Sequence, residues 1–169
     1  MVIICRMGEN TLEAKVGEML RPLGLKLAVA ESCTGGLVSH RITNVPGSSD
    51  YFLGGITAYA YEAKVRLLGV SWDTLTRYGA VSRETVLEMA HGARSTLEAD
   101  IGVSVSGIAG PGGGLPEKPV GLTWIGLSAG GFEDARSFVF PGDRLAVKEQ
   151  AAEQALQLLN EYLVGMLEE

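Results

Sequence analysis

Glycine punctuates this chain at a few places, and what lies between those places is apolar and of strand or helix length. Of the 23 glycines, many collect at Gly35-Gly36, at Gly54-Gly55, across residues 107–114 and at Gly130-Gly131. A flexible linker would scatter them. Clusters alternating with apolar segments put the glycines at turns beside strand ends, which is how an α/β domain is laid out. With 46% hydrophobic and 20% charged residues the chain can fill a core, and disorder is disfavoured. Its 169 residues fit one domain, without internal repeat.

The apolar periodicity supplies the elements. A first helix is expected from Asn10 or Thr11, with Glu13 in capping-box position and Leu12, Val16, Met19, Leu20 and Leu23 as its stripe; Pro22 and Gly24 end it. Residues 25–30 read as a buried strand, 31–36 as the turn after it, and 37–42 as a helix. Residues 55–61 read as a second strand, with Thr57, Tyr59 and Tyr61 on one face and Ile56, Ala58 and Ala60 on the other. A helix over 62–68 follows. Ser82 caps another running to Leu97, with Val86, Met89, Ala90 and Ala93 inward. Residues 101–106, 120–128 and 136–140 are further strands. Asp143 caps a last helix packed through Val147, Ala151, Ala155, Leu159 and Leu163. The expected fold is a single-domain layered α/β sandwich, with a central sheet of about five or six strands flanked by helices.

Charge narrows the function. Fourteen Lys and Arg against 20 Asp and Glu give a net charge of −6 and a pI near 5.0. That balance disfavours general nucleic-acid binding. No apolar run reaches the roughly 18 residues that span a bilayer, and the N-terminus lacks a signal-peptide pattern, so a cytoplasmic protein without membrane partners is expected. Cys5 and Cys33 form no disulfide scaffold, and no Cys/His cluster points to zinc.

Four segments carry polar chemistry. Glu31-Ser32-Cys33-Thr34-Gly35-Gly36 places a hydroxyl, a thiol and two glycines between strand and helix, where free N–H groups attract anions or an oxyanion. Ser32 or Thr34 acting only as an N-cap explains the same residues. Lys64, with Tyr59 and Tyr61 before it, suits a serine hydroxyl's general base with a tyrosine relay; a surface lysine beside sheet-edge tyrosines is the plainer alternative. The Tyr-to-Lys separations of five and three do not match the four of short-chain dehydrogenases, and no GxGxxG follows the first strand. The tract 106–114 either forms an anion-binding nest or is a surface turn; it lacks a Walker A ending. Arg144 at a helix start, where cations are unfavourable, hints at an anionic ligand. His40 and His91 have no positioned acid, so a Ser-His-Asp triad is unsupported.

Taken in order, AESCTGGLVSHRIT, PGSSDYFLGGITAYAYEAKVRLLGV, GAVS, SVSGIAGPGGG, KPVG and PGDR resemble the C-terminal domain of the competence-damage-inducible CinA family. The resemblance runs from about residue 10 to the end. It implies a domain over 10–169, with residues 1–9 an extension or the remnant of a junction to a second, molybdopterin-binding-like domain. Standalone members are nicotinamide-nucleotide amidohydrolases, so it implies hydrolysis of nicotinamide mononucleotide (NMN) to nicotinate mononucleotide and ammonia, in pyridine nucleotide salvage. By motif, Ser32 is then the nucleophile, and Tyr59 and Lys64 activate it. Thr34, Gly35, Gly36, Ser106, Gly107, Gly110 and Arg144 line the nucleotide pocket. No cofactor and no metal are implied, and a homo-oligomer is expected. Tyr61 departs from the family pattern, which has a small polar residue there. A nucleotide-binding regulatory module, or a competence-related interaction module without turnover, is the alternative.

Overall fold

The structure, a computed structural model, describes residues 11–168. Asn10, Cys5 and the expected 1–9 extension lie outside them. Helix α1 (Leu12–Leu23) is capped by Thr11, whose hydroxyl accepts from the Ala14 amide, and it ends on Gly24 at φ +67°. Val16 and Leu20 are buried as expected, but Leu23 is exposed because the helix closes there.

Five strands form one sheet, β1 (Leu27–Glu31), β2 (Phe52–Thr57), β3 (Ile101–Gly107), β4 (Leu122–Ala129) and β5 (Phe132–Val139), in the order β2-β1-β3-β4-β5. The first three run parallel; β3-β4 and β4-β5 pair antiparallel. All five residues of β1 are buried, as a strand covered on both faces must be. Its expected start at residue 25 moves to Leu27 because the Leu25 amide turns back to the Leu20 carbonyl and closes α1.

Helices α1, α2 (Leu37–Thr43) and α6 (Arg144–Glu168) cover one face; α3 (Tyr61–Leu68), α4 (Trp72–Tyr78) and α5 (Arg83–Thr96) cover the other. The inward stripes of α5 and α6 are the expected ones, and Ser82 and Asp143 cap their helices. Helix α4 has too short an apolar pattern to stand out in the sequence. Its N-terminus is held by Ser71 and by Glu88 of α5, which accepts from the Ser71 amide and the Thr74 hydroxyl. Strand β5 also starts earlier than residue 136, and β4 starts at Leu122 rather than 120, since the two form a tight hairpin through Gly130 and Gly131.

The second strand needs the largest correction. It occupies Phe52–Thr57, not 55–61. The glycines that suggested a turn lie inside it: a Cβ on Gly55 would stand 2.0 Å from Ser39 Oγ, so glycine lets α2 rest on the strand. The Ala58 amide makes the last rung to the Glu31 carbonyl, and Ala60 already caps α3. Tyr59 therefore sits in the connection and Tyr61 on the helix, so the shared face of Thr57, Tyr59 and Tyr61 does not form.

Two further glycines fix helix positions. On Gly92 of α5 a Cβ would fall 1.8 Å from the Leu68 carbonyl oxygen, so the end of α3 rests directly on the α5 backbone. On Gly102 it would fall 2.0 Å from the Ala90 carbonyl oxygen, which sets α5 against β3. The chain leaves β1 toward β2 and leaves its neighbour β3 toward β4, so the carboxyl ends of these adjacent strands part in opposite directions. The crevice outside such a switch point is where open α/β sheets bind ligands.

Candidate active site

Ser32 is the first residue past β1, at that crevice. Its amide donates to the Val105 carbonyl and its own carbonyl accepts from the Gly35 amide, so the turn is held from both sides. The cap of α2 is neither Ser32 nor Thr34. It is Glu31, fully buried, whose Oε2 accepts from the amides of Gly36 and Val38 and whose Oε1 accepts from the Ser39 amide and hydroxyl. The sequence reading missed this role, because a carboxylate reaching forward from a strand has no local signature like that of a Ser or Thr cap. Capping by Glu31 leaves the Ser32 hydroxyl available. The amides of Gly35, Gly36 and Leu37 are engaged as well, and that of Cys33 lies against its own thiol, which leaves that of Thr34 without a bonded acceptor among the described residues.

Lys64 approaches from the first turn of α3. It has no exposed surface, and its Nζ lies 2.9 Å from Ser32 Oγ, 2.8 Å from the Ala58 carbonyl and 2.9 Å from the Tyr59 carbonyl. Burial lowers its pKa from 10.5 to about 8, opposed by the nearby Cys33. Two carbonyl acceptors match the two N–H bonds of a neutral amine, whose lone pair would then receive the serine proton along the third contact. The charged amine instead donates all three. Either form is satisfied in place, and no rearrangement separates them.

Tyr59 joins this pair through its backbone. Its phenol, on a side chain 60% exposed, accepts at 2.9 Å from Arg144 Nη2, and the other Arg144 amino group, Nη1, donates to the Gly110 carbonyl at 2.8 Å. Arg144 thus ties the start of α6 to Tyr59 and to the glycine tract. Ser106 is buried beneath the site, its hydroxyl donating to the Ala80 carbonyl at 2.7 Å. Gly107 lies where a Cβ would stand 3.1 Å from Cys33 Sγ. Gly35 and Gly36 adopt φ +63° and +102°, the left-handed region that disfavours side chains. Burial pushes the Cys33 thiol up to about 11, the largest influence on it. Thr34 Oγ1 is buried and has no hydrogen-bond partner. A cavity of about 470 Å³, lined by Ala109, Pro111, Val120, Gly142, Asp143, Arg144 and Leu145, opens beside Arg144. His40 and His91 are exposed on helices and bond only within them.

A contact between a serine hydroxyl and a buried lysine amine thus lies at the mouth of an α/β switch point. Comparison with known proteins identifies a family. The family described as CinA C-terminal domain matches residues 9–163. A CinA-like protein of Kosmotoga olearia is 48% identical over 160 residues, covering 95% of this chain and 39% of that protein. A CinA-like protein of Chloroherpeton thalassium is 49% identical over 156 residues, covering 90% of this chain and 37% of that one. The chain spans less than two fifths of the length of these curated relatives. Among solved structures, the competence/damage inducible protein CihA of Agrobacterium tumefaciens superposes with a TM-score of 0.86 at 41% identity, covering 88% of this chain and 91% of that one. A CinA superfamily protein of Klebsiella pneumoniae superposes with a TM-score of 0.88 at 34% identity, covering 91% and 96%.

Proposed function

This chain belongs to the CinA C-terminal domain family, and within that family we propose that it hydrolyses the carboxamide of NMN through Ser32. The observation that carries this reading is the 2.9 Å contact between Ser32 Oγ and a fully buried lysine amine held by two carbonyls. A serine hydroxyl is a weak nucleophile until a base takes its proton, and a desolvated lysine is one of few side chains that can do so near neutral pH.

In the proposed reaction the Ser32 proton passes to neutral Lys64 as Oγ bonds to the amide carbon. The carbonyl oxygen becomes an oxyanion, and the amide of Thr34 is a donor available to it. Lys64 then returns its proton to the leaving nitrogen, the C–N bond breaks, and ammonia departs. Water, deprotonated by the same amine, adds to the acyl-enzyme; cleavage of the Ser32 ester bond frees the carboxylate and restores the hydroxyl. Tyr59 contributes the carbonyl that orients Lys64, and its phenol, bound to Arg144, stands at the entrance to the crevice.

The test is ammonia release from NMN by the purified protein, with Ser32→Ala as control. Turnover by the parent and none by Ser32→Ala is the expected result. NMN binding without ammonia release would instead identify a nucleotide-binding module.

A further inference from the structure

Two cations, Arg144 and Lys148, stand four residues apart in the first turns of α6, and so on one face of it. That end of a helix carries the positive pole of its dipole, and the first turn of α6 contains no acidic residue. The two side chains are nevertheless in different situations. Arg144 directs its terminal amino groups to the Gly110 carbonyl and the Tyr59 phenol, so it works as a brace. Lys148 is half-buried and makes no ion pair or hydrogen bond with any described residue.

The position of Lys148 is informative. Its Nζ lies 3.8 Å from the point where a Cβ on Gly35 would stand, three residues past Ser32. Its charge also acts on Cys33, beside that serine. The neighbouring acid, Glu31, has both carboxyl oxygens engaged by α2 and does not pair with Lys148. Glycine at 35, in the left-handed region, leaves open the space under this amine. The turn below it holds Thr34, whose buried hydroxyl lacks a partner. A cation with no ion-pair partner among the described residues, over a side-chain-free turn and beside a candidate nucleophile, is suited to an anion carried by the substrate.

We propose that Lys148 holds the phosphate monoester of the amide substrate over the Gly35 turn, while Arg144 positions Tyr59 and the Gly110 loop. The inference rests on the amidase reading and adds to it the residue that selects a phosphorylated substrate. It moves phosphate recognition from Arg144, the cation that the sequence pattern favours, to one that the pattern does not mark. Binding energy from this remote contact would orient the carboxamide at Ser32.

The experiment compares NMN with its dephosphorylated nucleoside, nicotinamide riboside, for the parent, Lys148→Ala and Lys148→Arg. A charged hydrogen bond to phosphate is of a size to change kcat/KM by about tenfold or more. Lys148→Ala should lower kcat/KM for NMN at least about tenfold more than for the riboside, with KM carrying most of the loss, and Lys148→Arg should recover most of it. Equal losses on the two substrates, or unchanged NMN kinetics, overturn the assignment. If the parent releases ammonia from neither substrate, the amidase reading fails by itself, and calorimetric titration decides the present one. Inorganic phosphate and NMN should then bind Lys148→Ala about tenfold more weakly than the parent. Equal affinities, or a parent that binds neither, rule it out.

Discussion

Lys64 Nζ and Ser32 Oγ lie 2.9 Å apart although 32 residues separate them in the chain, and the lysine is sealed from solvent. The contact joins the end of β1 to the start of α3 and sets a pH condition on any chemistry there. With its pKa lowered by burial to about 8, the amine is roughly one tenth neutral at pH 7. As pH rises toward 8 the neutral, proton-accepting fraction grows, so kcat/KM for NMN should rise nearly tenfold per pH unit below 8 and level off above it. Lys64→Arg keeps the charge but never yields a free base, and activity should fall about 10²- to 10⁴-fold. A flat profile from pH 6 to 9 in the parent would exclude Lys64 as the base.

Cys33 sits next to Ser32 and is by nature the better nucleophile, yet its burial argues against it. With its pKa near 11, roughly one thiol in ten thousand is ionised at pH 7. Ser32→Ala should abolish ammonia release, while Cys33→Ala should keep most of it and the parent should resist mild thiol alkylation. Loss of activity on alkylation, together with a surviving Ser32→Ala, would reverse the assignment.

Glu31 should prove structural as well as local to the site. Glu31→Gln keeps the shape but replaces one acceptor oxygen with a donor facing the α2 amides. Leaving buried groups unpaired costs about 1–3 kcal/mol each, so the melting temperature should fall by about 5–15 °C. Urea or thermal denaturation of the variant measures this, and an unchanged midpoint would mean that the cap is dispensable.

Arg144 and Tyr59 should behave as one unit. Each truncation alone, Arg144→Ala or Tyr59→Phe, removes the same contact, so the double variant should lose less than the sum of the two. A coupling of about 0.5–3 kcal/mol, read from NMN kcat/KM in a double-mutant cycle, is the expected size. Strict additivity would show that the 2.9 Å bond has no functional weight.

The layered fold was legible because α5 and α6 bury regular stripes, Val86 to Ala93 and Val147 to Leu163, that periodicity reveals without help from distant residues. The ESCTGG turn was legible too, since strand, hydroxyl and paired glycines lie side by side in the chain. What stayed hidden depends on contacts across the fold. Gly54 and Gly55 look like a break until Ser39 is seen against the strand, so the sequence pattern places the strand too late and gives Tyr59 a face it does not have. Short α4 has its start fixed by Glu88 from another helix. Lys148 gained its meaning only when Gly35, more than a hundred residues earlier, came to lie beneath it.

The bare backbone of Gly92 helps to seat the helix that presents the Lys64 amine to Ser32. Leu68 ends the same short helix whose first turn carries Lys64, and it abuts α5 with no side chain between them. The backbone that carries the amine is therefore seated in part from the far end of α3, by a contact with no chemistry of its own. A single methyl group at position 92 would act as a shim under that helix. The serine and the lysine would both remain in the sequence, intact in every motif, while the backbone that presents the lysine would be displaced.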